Sequence, residues 1–147
     1  MLYIERDRMS FEEKNTWIYG VTALLGAVAY VVIVGGQLPT TAVTEIDYVV
    51  PMIAAIVGSI VLSIILIIVV SVAAPSEADK RDERDRQVNT RGDQVGFYVV
   101  SMLALVPLGL AFAEAEHFWI ANSLYAAFVV TAVVSSLVKV YAYRRGF

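Results

Sequence analysis

Four stretches of the chain contain no Asp, Glu, Lys, Arg or His: Trp17 to Gly36, about Tyr48 to Ala74, Val95 to Ala113, and Phe118 to Val138. At 1.5 Å per residue, each is long enough to cross roughly 30 Å of hydrocarbon as a helix. A soluble surface helix shows one apolar stripe, whereas these runs are apolar all round. Four of them in one chain predict an all-α integral membrane protein, a four-helix bundle formed by a single membrane domain over residues 1–147. The first run is too long for the apolar core of a signal peptide, and no small-residue cleavage site closes it, so it reads as a retained span.

Local signals divide the chain at the same places. Ser10-Phe11-Glu12-Glu13 has capping-box spacing, which starts a helix ahead of the first span. Gly35-Gly36 ends that helix. Thr44-Glu45-Ile46-Asp47 offers a cap for the second helix, with acids favourable to its dipole and Pro51 early enough to be tolerated. Pro75-Ser76 ends the second helix and begins a new one. Pro107 lies inside the third span and predicts a kink. Only Glu114 to His117 separates spans three and four, so these form a tight antiparallel hairpin. Small residues mark the expected helix contacts: Ala55, Ser59 and Ser63 on span two, and Ala127, Thr131 and Ser135 on span four.

Charge adds a direction. The chain has 11 Lys and Arg residues. Arg6, Arg8 and Lys14 precede span one; Lys80, Arg81, Arg84, Arg86 and Arg91 lie between spans two and three; Lys139, Arg144 and Arg145 follow span four. The connections 37–47 and 114–117 contain none. Positive charge next to spans favours the cytoplasmic side, which predicts cytoplasmic N- and C-termini and a charged cytoplasmic helical loop at 75–94. Aromatic residues form two matching belts, with Trp17, Tyr19, Phe97, Tyr98, Tyr141 and Tyr143 on the inner side. Tyr48, Phe112, Phe118 and Trp119 make the outer one. The expected location is the inner or plasma membrane.

Composition then removes reaction classes. There is no cysteine, hence no thiol chemistry, thiolate metal site or disulfide. His117 is the one histidine and sits at the outer interface, away from serines that lie mostly within spans, so no nucleophile–base pair is expected. There is no glycine-rich phosphate loop. The carboxylates of the charged loop stand beside arginines, which lower carboxylate pKa values and oppose a general-acid role. The reading is non-enzymatic, without a cofactor and without direct nucleic-acid binding. A small transporter or channel subunit is the alternative, but no span holds the intramembrane charge that marks a pathway. Such a path would have to form between copies in a homo-oligomer. Glu45, Asp47, Glu114, Glu116 and His117 could meet at the outer face and hold a cation. Loop solubility and helix-end electrostatics account for them more simply. Asn122, near the outer end of span four, reads as an interhelical hydrogen-bonding group, and Asp93 as solvated or paired with Arg91 or Lys14.

The informative segment is 76–94. Drawn as one helix capped by Ser76, it pairs Glu77 with Arg81, Arg81 with Asp85, and Asp82 with Arg86, each about 0.2–0.5 kcal/mol. Its near-balanced charge makes it a poor polybasic lipid patch. It reads either as a solvated connector or as a docking surface for a cytoplasmic protein, with Asp82, Glu83, Arg84, Asp85 and Arg86 making the contacts. That Asp-Glu-Arg-Asp-Arg string, between the second and third of four spans in a short chain, resembles a group of uncharacterised prokaryotic inner-membrane proteins whose cytoplasmic loop carries an Asp-Glu-Arg-acid-Arg motif. The resemblance implies a small inner-membrane protein with no assigned reaction. The group is often linked with small helix-turn-helix regulators, which implies a signalling or restraining role.

Overall fold

A computed structural model describes residues 9–78 and 82–145, and among them there are helices and no strands. α1 runs Phe11–Gly35, α2 Val49–Ala73, α3 Pro75–Ala78, α4 Glu83–Leu103, α5 Leu105–Phe112 and α6 His117–Arg145, with a single 3-10 turn at Val43–Glu45. Four helical stretches are long and apolar enough to cross a membrane: α1, α2, α4 with α5, and α6. Their number is even, so both described ends of the chain lie at one end of the molecule, termed here the terminal end.

Three helices extend past their apolar runs at that end. α1 begins at Phe11, where Ser10 Oγ accepts the Glu13 N–H at 3.1 Å, the cap expected from its spacing. α6 continues to Arg145. α4 begins at Glu83, so the twelve residues Glu83 to Gln94 project about 18 Å beyond the apolar run. The charged segment is therefore not one continuous helix. Ser76 lies inside the short α3, Asp82 caps α4 instead, and Asp79, Lys80 and Arg81 fall outside the described residues. The expected Glu77–Arg81 and Arg81–Asp85 pairs lie outside them too. Glu77 meets Lys14 at 3.1 Å, and Arg86 lies 4.0 Å from Glu83 rather than on Asp82.

Helix ends elsewhere follow the chain with two differences. α2 takes Tyr48 as its N-cap without a side-chain bond, because Val43–Glu45 has already turned on itself and spends the Thr44 signal there. The Pro107 interruption falls at Ala104, which separates α4 from α5, and Pro107 itself is buried. The turn after α5 closes with Ala115 N–H on Leu110 O at 3.0 Å and Glu114 N–H on Ala111 O at 3.1 Å. That is the Schellman pattern, with Glu114 in the left-handed region at φ 52° where glycine is usual.

The packing is an open row. α2 packs on α1, α1 on α6, and α6 on α4 and α5, while α2 makes only marginal contact beyond α1 and α3. Ser63 is the one buried residue of α2. Small residues set two of the three seams, as their spacing predicts. Gly26 faces Ser59, and a Cβ there would stand 3.2 Å from Ala55 O. Beside it, Thr22 and Ser63 share a hydrogen bond at 2.6 Å between hydroxyls, and Ser59 donates to Thr22 O at 3.1 Å. Gly96 faces Thr131 and Ser135, and the Ser135 hydroxyl donates to Gly92 O at 2.9 Å. At the far end Tyr30, Val34, Ile46 and Phe118 form the apolar core. There Tyr30 donates to Asn122 Oδ1 at 2.6 Å, the interhelical bond expected of Asn122.

Candidate docking surface

The terminal end is where charge and burial coincide. Glu12, Glu13, Asn15, Thr16 and Asp85 are all buried there. Burying carboxylates costs several kcal/mol unless they are hydrogen-bonded or paired. Glu13 Oε1 receives Arg144 Nε at 2.8 Å. Glu12 Oε2 receives Asn89 Nδ2 at 3.4 Å. Asp85 Oδ1 receives the Tyr143 hydroxyl at 3.0 Å, while its Oδ2 accepts the Asp82 N–H at 3.2 Å. Asn15 lies in the same shell, its Oδ1 buried without a hydrogen-bond partner among the described residues.

These contacts fix the projecting part of α4 on two sides. Asp82 Oδ1 accepts the Asp85 N–H at 2.8 Å, and Asp85 reaches back to Asp82, a reciprocal box that stops the helix from fraying. Arg84 donates to Tyr143 O at 2.8 Å, which ties α4 to the last turns of α6. Lys139 Nζ meets Asp93 at 2.7 Å, so Asp93 is paired with α6 rather than with Arg91 or Lys14. The Lys139 stem crosses Gly92, where any side chain would collide with it. Val88 is fully buried beneath this set. Burial also acts on Tyr143. It raises the phenol's pKa above the ordinary 10.0, first by desolvation and then through its hydrogen bond to Asp85 and the charges of Asp85, Glu12 and Asp82.

The five residues singled out in the sequence therefore separate. Asp82 and Asp85 cap the helix, Asp85 is buried against Tyr143, and Arg84 is committed to α6. Only Glu83 and Arg86 stand clear, their side chains 73% and 79% exposed. They belong to a longer surface that the motif does not include. Glu83, Arg86, Gln87, Thr90, Arg91 and Gln94 line one shallow concave face of α4. Their spacing of three or four residues places them on one side of the helix, opposite the buried Asp85, Val88, Gly92 and Gly96.

Tyr143, Asn89 and Glu12 are the residues that sequence reasoning missed. A signal for them existed: Asp85, Val88, Gly92 and Gly96 recur at helical spacing through the charged segment, and such a stripe needs partners. The outer acids and His117 form no metal-binding group among the described residues. Glu114 serves the turn instead. Comparison with protein-family models, with curated proteins and with solved structures returns no match.

Proposed function

We propose that this chain is a multi-pass protein of the inner or plasma membrane, with both termini and residues 75–94 in the cytoplasm, and that the open face of α4 holds or restrains a cytoplasmic protein partner. Orientation rests on the placement of Lys and Arg. The described basic residues lie at the terminal end, on the projecting parts of α1, α4 and α6.

The observation that carries the docking reading is the contrast between the two sides of α4. One side is fixed by a helix cap, three side-chain bonds to α6 and one to α1. The other presents Glu83, Arg86, Gln87, Thr90, Arg91 and Gln94, of which, among the described residues, only Glu83 and Arg86 pair, at 4.0 Å. A solvated connector has no need of such anchoring. A preorganised polar surface lowers the ordering cost of binding, and exposed charges set on-rate and partner choice.

The test is affinity capture from native membranes, comparing wild type with a variant carrying Glu83→Ala, Arg86→Ala, Thr90→Ala and Arg91→Ala. Arg84 and Asp85 are left in place because they hold the helix. Loss of a cytoplasmic protein from the variant, with insertion and helicity unchanged, supports docking. Identical capture by both removes it.

A further inference from the structure

We infer that the seam between α1 and α6 holds one anionic phospholipid, its acyl chain in an apolar groove and its phosphate on Arg144. The inference rests on the membrane placement above but not on the partner-docking face, which lies on α4. The groove has a volume of about 110 Å³ and is lined mainly by Trp17, Val21, Leu24, Val133, Leu137 and Val140, with Thr16, Gly20 and Ser136 completing its wall. Trp17, Val21, Leu24 and Leu137 are exposed, so it opens on the outer surface of the row. Its depth comes from Gly20, where a Cβ would stand 2.9 Å from Ser136 Cβ.

The groove's shape and chemistry select the occupant. Its surface presents no polar atom, so water gains nothing there. A helix about 10 Å across is too wide to enter so small a groove. A single polymethylene chain fits, and it buries apolar surface against the groove walls. The cation stands at the correct end. Arg144 lies one helical turn beyond Val140 on α6, and Glu13 one turn before Trp17 on α1. The Arg144–Glu13 bond at 2.8 Å holds the guanidinium over the mouth, with Glu13 8% and Arg144 50% exposed. That contact uses Nε. A guanidinium has five N–H donors, and the terminal pair suits bidentate contact with phosphate. Trp17 marks the headgroup level beside it.

Native mass spectrometry of the full chain, released from nanodiscs of equal phosphatidylglycerol and phosphatidylcholine, tests this. Wild type is expected to retain one phosphatidylglycerol, favoured about tenfold over phosphatidylcholine, a difference of about 1.4 kcal/mol. Arg144→Gln should abolish the headgroup preference while lipid is still retained, and Arg144→Lys should keep most of it. Val133→Phe, which fills the groove, should lose retention of both lipids while its far-UV circular dichroism and melting stay near wild type. Retention unaffected by these substitutions, equal retention of the two lipids by wild type, or a lipid-free dimer joined at this seam would each overturn the inference.

Discussion

The hydroxyl of Tyr143, two residues from the last described residue, donates to the buried carboxylate of Asp85 at 3.0 Å, joining the end of α6 to the first turn of α4. The bond ties the far end of the sequence to its central charged segment. Tyr143→Phe is expected to cost about 1–2 kcal/mol, because Asp85 keeps only its helix-capping contact. Denaturant unfolding in detergent micelles measures this, and a loss within error would show that the contact is incidental.

The same pair sets an alkaline limit. The folded protein holds the Tyr143 proton more tightly than the unfolded chain, whose tyrosines titrate near 10.0. Above that pH the folded state binds more protons than the unfolded one, so its stability falls as pH rises. Below it the contribution is fully present. Unfolding titrations on either side of pH 10 should show a steeper decline in wild type than in Tyr143→Phe.

Glu114 has φ 52°, a conformation in which a Cβ costs roughly 1–2 kcal/mol. Glu114→Gly relieves that strain and keeps the Schellman bonds to Leu110 and Ala111. A rise in thermal midpoint is expected, since the exposed Glu114 side chain makes no hydrogen bond or ion pair among the described residues. An unchanged or lower midpoint would count against the strain argument.

Thr22 and Ser63 form the hydroxyl bridge of the α1–α2 seam. Hydrogen bonds between spans are worth about 0.6 kcal/mol on average, and about 1.7 at most. Thr22→Val should therefore cost well under the amount expected from Gly26→Leu, which drives a side chain into Ser59 and the Ala55 carbonyl. Proximity cross-linking of α1 to α2 separates the two: intact contact in the first variant, displaced in the second.

The absence of native cysteine makes topology directly measurable. Thr90→Cys is expected to react with an impermeant maleimide only after the membrane is opened, and Thr44→Cys in intact cells. The reverse pattern would invert the molecule and remove the cytoplasmic face on which the proposed function depends.

The long apolar runs made the four candidate spans legible, because each exceeds what a soluble helix needs. The small-residue stripes gave two seams correctly: Ser59 and Ser63 against α1, Thr131 and Ser135 against α4. Asn122 was legible for the same reason, as an amide among apolar neighbours that must find a partner. The site was read less well. Opposite charges in one segment invite pairing within it, yet partners on other helices also reach these groups: Lys14 meets Glu77, Tyr143 meets Asp85 and Lys139 meets Asp93. Local spacing cannot show which distant helix will arrive. The open row was equally hidden, because the small-residue stripe of α2 marks one contact face and its remaining apolar surface suits lipid and protein alike.

The most direct test places a photoreactive residue in turn at 83, 84, 86, 87, 88, 90 and 94 and maps cross-links from native membranes. The docking account expects cross-links to one cytoplasmic protein from 83, 86, 87, 90 and 94, and few or none from 84 and 88. Equal cross-linking around the whole helix, or cross-links only to copies of this chain, would contradict it.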